Sequence, residues 1–231
     1  VGEVVAPGVS GLVAHFERFL GPGTSGWMKS NSGELLPFQV VRWTRGPDVG
    51  SVAYSTLGLS RNVLAAGPSG DPTPVRQELV VMVTKSLPVE YVLGVFVDAA
   101  HVALSTGRAL RRGSVLGPVQ PVLPLTPSPA APAAPTAPVR PRSGIWGSEV
   151  SALYVADPVY LPDEFARFAG EGGPDVQVLW LVPITSAEAR FVREQGWEAF
   201  EDLLVDQDPD LVDVFRAPVK LPAAELSFDP A

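Results

Sequence analysis

Val178-Leu179-Trp180-Leu181-Val182-Pro183-Ile184-Thr185-Ser186-Ala187-Glu188 is the stretch on which the fold turns. Val176 to Val182 is a short apolar run and reads as a strand. Pro183-Ile184-Thr185 leads out of it. Thr185 and Glu188 stand at capping-box spacing, in which the threonine side chain and the glutamate carboxylate each bond the other residue's backbone N–H. A helix is therefore predicted to start there, with Phe191, Val192, Trp197, Phe200, Leu203 and Leu204 on its apolar face. Gly196 is expected to kink or divide it. Leu211 to Phe215 reads as a last short element, and Val150 to Ala156 as a strand ahead of the apolar run.

Towards the N-terminus, Leu35 to Trp43 and Ser51 to Leu59 read as strands, and Gln77 to Thr84 as a third after the Gly/Pro/Asp loop Gly67 to Pro74. Pro88 stands where a first-turn proline is tolerated. Val89, Val92, Leu93, Phe96, Ala100, Ala103 and Leu104 recur at helical spacing behind it. At the start of the chain, Ser10 is the expected cap of a short helix that buries Leu12, Val13, Phe16 and Leu20 and stops at Gly21-Pro22-Gly23. These elements mix without strict βαβα alternation. The expected class is α+β, a mixed sheet packed with helices.

Residues 118–142 interrupt the pattern. Prolines at 118, 121, 124 and 127, and again at 132, 135, 138 and 141, repeat every third residue, the period of a polyproline II helix. Each removes a backbone donor, so neither a helix interior nor a sheet can form. The segment is expected to be a proline-rich, disordered insertion. It reads as a ligand for a proline-recognising module or as a tolerated surface insertion. The chain then divides into 1–117, the N-terminal part of a domain, 118–142, the insertion, and 143–231, the acidic C-terminal part of the same domain.

Composition narrows the function. With no cysteine among 231 residues, disulfides, thiol catalysis and cysteine-ligated metals are excluded. The longest apolar stretch, Tyr91 to Leu104, contains Asp98 and His101 and falls short of the roughly 20 apolar residues of a membrane span. Val1-Gly2-Glu3 shows no basic-then-apolar leader pattern, and the expected location is the cytoplasm, with no membrane partner. Lysine is confined to Lys29, Lys85 and Lys220, asparagine to Asn31 and Asn62, and isoleucine to Ile145 and Ile184, while Ala, Gly, Pro, Val and Arg abound. That is the codon balance of a high-GC bacterial genome.

The formal net charge of -8 is unevenly spread. Residues 1–142 carry 12 basic and 8 acidic groups, a net of +4, whereas residues 143–231 carry 5 basic and 17 acidic groups, a net of -12. The acidic part should repel nucleic acid and anionic lipid and attract basic protein surfaces.

No catalytic constellation is complete. His15 and His101 are the only histidines, and neither belongs to a paired-ligand motif. Gly21-Pro22-Gly23-Thr24-Ser25-Gly26 matches G-x-G-x-x-G in letters but follows a helix pattern, where the dinucleotide fingerprint requires a strand. Asp206-Gln207-Asp208-Pro209-Asp210 opens like a calcium loop, yet Leu211 and Ala217 stand where glycine and glutamate are needed. Arg108, Arg111, Arg112, Arg140 and Arg142 flank the insertion without interleaved aromatics, which argues against nucleic-acid binding. The chain is expected to be no enzyme and to need no cofactor or metal.

Several stretches, in order, resemble the suppressor-of-fused domain family. Val52 to Ser60, V-A-Y-S-T-L-G-L-S, resembles its strand-to-turn segment ending in T-x-G-x-S. Glu78-Leu79 resembles the pair that opens its next strand. Val178 to Glu188 resembles its apolar strand, proline and threonine-capped helix, and Leu211-Val212-Asp213 with Arg216 the segment after that helix. The proline-rich insertion departs from the family pattern. The resemblance implies a mixed α/β fold and a protein-binding role. Animal members hold a transcription factor by strand addition, and bacterial members are thought to be immunity proteins that neutralise polymorphic toxins.

The expected function is therefore direct binding of another protein, a basic toxin domain in the immunity reading. The alternatives are a regulatory scaffold binding an extended peptide at a strand edge, and, with least support, an unrecognised enzyme. Glu198, Glu201, Asp202, Asp206 and Asp208 are the candidate partner-binding residues. Glu198 and Asp202 are like charges four apart, and Asp206 and Asp208 stand where the helix dipole disfavours anions. They read as a docking surface for a basic partner or as an ordinary solvated face.

Overall fold

The computed structural model describes residues 9–66, 73–85, 87–117, 148–170 and 173–222. Its elements run α1 (Val9–Leu20), β1 (Gly23–Lys29), β2 (Leu35–Trp43), β3 (Ser51–Leu57), β4 (Leu64–Ala65), β5 (Pro74–Thr84), α2 (Val89–Thr106), β6 (Val115–Leu116), β7 (Val150–Ala156), β8 (Arg167–Phe168), β9 (Val176–Thr185), α3 (Ser186–Gln195) and α4 (Trp197–Gln207). The proline-rich stretch 118–142 lies outside the described residues.

Period-2 burial builds the layers. Along β5, Leu79, Val81 and Val83 face one side and Val80 and Met82 the other. Along β9, Leu179 and Leu181 oppose Val178, Trp180, Val182 and Ile184. Both sides are buried, which explains why these strands read as continuous apolar runs. β5 and β9 pair in parallel at the centre of the sheet, whose order is β1-β2-β3-β5-β9-β7-β6, with every other pairing antiparallel. β4 adds to β5 and β8 to β9. The fold is α+β with a mixed sheet.

One face is covered by α2, through Val92, Leu93, Val95, Phe96, Ala99, Ala100 and Ala103. By length and composition α2 could cross a membrane, but that apolar side packs on the sheet. The other face carries α1, α3 and α4 through Leu12, Phe16, Leu20, Ala189, Val192 and Phe200. Gly196 divides the late helix into α3 and α4, and both parts of the capping box form: Glu188 N–H donates to Thr185 Oγ1 at 3.2 Å and Thr185 N–H to Glu188 Oε2 at 2.7 Å.

Four expectations shift. α1 begins at Val9 and includes Ser10, so Ser10 is not its cap. Gly21-Pro22-Gly23 does stop the helix, but Gly23 already opens β1, which places the last four of the G-x-G-x-x-G letters in a strand. β1 is exposed along most of its length and so lacks the alternation that reveals a strand. Gly26 fits there because a Cβ would meet the Gln39 side chain of β2 at 2.1 Å. Third, β3 ends at Leu57; Gly58, at φ 101°, turns the chain into a 3-10 turn over Leu59–Arg61, a conformation glycine adopts freely. Finally, Leu211 to Phe215 forms turns, with no helix or strand.

α1 docks through an aromatic cluster. His15 stacks on Phe165 at 5.7 Å between centroids, with Phe16, Phe19 and Phe168 around it, and its Nε2 lies 3.1 Å from the Phe165 carbonyl. Burial holds this imidazole below its ordinary value of 6.5; the Phe165 carbonyl opposes the shift and Arg18 adds to it. Below pH 6.5 the unfolded chain therefore takes up the proton before the folded one, so stability is full above that value and falls as pH drops through the lowered one. Thermal melts between pH 8 and pH 5 should show this loss in wild type. His15→Gln should flatten it, and an unchanged slope would assign the pH dependence to other groups.

Candidate protein-binding face

α4 has two sides. Phe200 is buried against Tyr154, with ring centroids 5.4 Å apart, and Leu203 and Leu204 are half-buried. On the other side Glu198, Asp202 and Asp206 are exposed at four-residue intervals, so they form one line along the helix. Asp208 follows in the left-handed conformation, φ 43°, and closes the helix with its N–H on the Leu204 carbonyl at 3.0 Å. It too is exposed. None of these four carboxylates is in a salt bridge among the described residues.

Glu201 differs from the other candidates. It turns to the sheet side, where Arg112 Nε donates to its Oε1 at 3.1 Å, Arg112 Nη2 bonds its Oε2, and the Tyr154 hydroxyl donates to Oε1 at 2.7 Å. Burial alone would raise the Glu201 carboxyl, but the Arg112 and Tyr154 bonds hold it below its usual range. Tyr154 is pushed up, by burial first and then by Glu201. Arg112 also reaches Asp157 at 3.1 Å and lies 4.9 Å over the Trp197 ring. Its charge is thus fully engaged, and Glu201 pins α4 to the sheet.

Between α4 and the β7–β9 surface lies a cavity of about 280 Å³. Tyr154, Tyr160 and Trp180 form its aromatic wall, Val182, Leu204 and Leu211 much of the rest, and Asp208 stands in its lining. Asp210 and Asp213, further along, bond their own turns: the Asp210 carboxylate accepts from Val212 N–H at 3.0 Å and the Asp213 carboxylate from Phe215 N–H at 2.9 Å. They shape turns. Among the described residues no group of three acidic or histidine side chains is placed to hold a metal.

Two buried carboxylates organise the rest. Glu78 accepts from Thr56 Oγ1 at 2.5 Å, Gly58 N–H at 2.8 Å, Ser60 N–H at 3.1 Å and Ser60 Oγ at 2.6 Å. Glu188, besides its capping box, takes Arg216 Nη1 at 2.8 Å and Nη2 at 3.1 Å, and Val219 N–H at 2.8 Å. The motifs T-x-G-x-S, E-L, T-x-x-E and Arg216 are thus pairs of contacts in the folded chain. Residues 35–217, from the start of β2 to just past Arg216, match the sequence profile of the suppressor of fused protein family.

The chain belongs to that family. Solved structures agree on the fold. A suppressor of fused homologue from Neisseria gonorrhoeae FA 1090 has a TM-score of 0.63 at 16% identity, with 94% of this chain and 98% of that one covered. Suppressor of fused in the Sufu–Fu complex has a TM-score of 0.59 at 14% identity, with 92% of each chain covered. Drosophila Suppressor of Fused has a TM-score of 0.58 at 13% identity, and the match covers 94% of this chain but 52% of that one. No curated protein sequence matches the chain. The family's recognisable residues thus hold the fold together. The candidate face lies partly on other residues: Arg112, Tyr154 and Tyr160 stand outside those motifs and carried no partner-binding signal in the sequence, although alternation along β7 places Tyr154 on the side that α4 covers.

Proposed function

We propose that this chain is a non-catalytic domain that binds a basic protein through the exposed side of α4, in the manner of an immunity protein masking a toxin. The observation that carries the reading is the line Glu198, Asp202 and Asp206, continued by Asp208, with no cation among the described residues paired to it. Like charges at i, i+4 oppose the helix, and Asp206 and Asp208 oppose its dipole. The dipole favours Glu198 in the first turn of α4, but the rest of the line opposes folding, whereas a basic partner would gain from all of it. Family membership supports a binding role, since a relative has been crystallised in a Sufu–Fu complex. His15 and His101 lie on α1 and α2, on opposite faces of the sheet, so the two imidazoles share no site.

The test uses the toxin domain encoded beside this gene as ligand. Its absence from that locus would count against the immunity reading at once. The variant Glu198→Gln/Asp202→Asn/Asp206→Asn/Asp208→Asn leaves Glu201 in its ion pair. Its association rate at low salt should fall about tenfold or more, because steering by a charged surface is worth factors of that order. The salt dependence should flatten and the melting temperature should hold or rise slightly.

A second reading has its own observation. β1 ends the sheet order and bonds β2 on one side only, an open edge suited to strand addition. Equal rates and salt slopes for wild type and variant would move the binding site there.

A further inference from the structure

We infer that the cavity between α4 and the β7–β9 surface is an anchoring pocket for one arginine or lysine side chain of the partner protein. The inference rests on the basic partner proposed above and assigns that partner a specific contact. At about 280 Å³ the cavity lies at the small end of the range for ligand sites and has room for one long side chain. Its walls match such a side chain in two parts. Val159, Leu204 and Val205 offer apolar surface to an aliphatic stem. Tyr160 is 38% exposed and offers its ring, with the buried Trp180 behind it at 5.1 Å between centroids, and aromatic rings attract cations.

The charge balance decides the sign of the occupant. Arg112 is the cation in the lining, and it is already spent on Glu201 and Asp157. Asp208 is the carboxylate left over, with no side-chain hydrogen bond or salt bridge among the described residues. It closes α4 at the end of the line of acidic residues that would draw the partner in. The pocket therefore sits where a steered basic surface arrives. The Trp180 indole N–H is buried and has no acceptor among the described residues; as a donor it makes no bond to a guanidinium or ammonium, which carry donors only. That N–H is a reporter built into the pocket, one of 5 tryptophans in the chain.

Indole 15N–1H spectra of the full chain, assigned by triple resonance, provide the test. The probe is Nα-acetyl-arginine N-methylamide. The Trp180 resonance should move saturably with a millimolar midpoint, while Trp27, which packs on the α2 side of the sheet, stays in place. The norleucine analogue keeps the stem and lacks the charge, and should need about fivefold more. Asp208→Asn should weaken the arginine probe about threefold to fivefold, the scale of one exposed ion pair, and asparagine is tolerated in the left-handed conformation, so the helix end survives. An unmoved Trp180, equal midpoints for the two probes, or an Asp208→Asn titration identical to wild type each overturns the assignment. The outcome is separate from that of the rate experiment. Salt-independent association beside a positive titration removes steering and keeps the pocket; the reverse removes the pocket alone.

Discussion

Arg216→Met is expected to lower stability by about 3–5 kcal/mol, because it removes one member of a buried ion pair and leaves the other charge uncompensated. Arg216 is 5% exposed and Glu188 0% at the side chain, so solvent screens little of the loss. With a urea slope of about 2–3 kcal/mol per molar, the unfolding midpoint should fall by roughly 1–2 M. The acid limb should change as well. Burial would raise the Glu188 carboxyl, but Arg216, Val219 N–H and Thr185 N–H together hold it below its ordinary value of 4.5. A lowered carboxyl contributes stability that is present above the ordinary value and lost as pH falls through the lowered one. Without Arg216 burial lifts the folded-state carboxyl back up, so this contribution shrinks and the acid limb should flatten.

Adding Glu188→Gln to Arg216→Met should recover part of the cost. Gln removes the stranded charge and keeps an acceptor for Val219 N–H or Thr185 N–H. A midpoint shift below about 0.3 M for Arg216→Met would put the pair in the class of surface salt bridges. The consequence reaches the candidate face. Arg216 ties the segment after α4 to the start of α3, and Leu211 in that segment lines the cavity. The same variant should therefore loosen the pocket without touching it.

The layers of this fold were legible because burial on both faces writes itself into sequence. β2, β7 and the start of β9 fall where apolar runs place them, and the capping box at Thr185 and Glu188 fixes α3 to the residue. β1 escaped because an exposed edge strand, Gly23–Lys29, buries nothing that would alternate. β4, β6 and β8 span two residues each, too few for any period. At the candidate face the sequence pointed to the carboxylates of α4 but could not sort them. Glu201 and Asp202 are neighbours in sequence, yet one meets Arg112 and Tyr154 and the other meets solvent. Arg112 stands 89 residues from Glu201, and no local pattern foretells such a contact.

Glu78→Ala should cost a similar amount by a different route, about 3–5 kcal/mol. The substitution strands Gly58 N–H and Ser60 N–H, whose donors are fixed by the backbone. Each buried donor left unmade costs about 1–3 kcal/mol, and the lost side-chain volume adds to that. The hydroxyls of Thr56 and Ser60 can rotate, though Thr56 Oγ1 also accepts from Leu79 N–H at 2.9 Å and has little freedom. Glu78→Gln separates geometry from charge. It keeps an acceptor for both N–H groups and should cost about 1 kcal/mol.

Its pH dependence carries the argument further. Burial raises the Glu78 carboxyl above its ordinary 4.5, against the pull of Ser60, Thr56 and Gly58. A raised carboxyl contributes stability that is full below the ordinary value and lost as pH rises through the raised one. Gln does not titrate. The gap between Glu78→Gln and wild type should therefore narrow from pH 4 to pH 7, as followed by urea unfolding at each pH. A gap that widens over that range would mean that the donors from Thr56, Gly58 and Ser60 outweigh burial and hold the carboxylate as an anion.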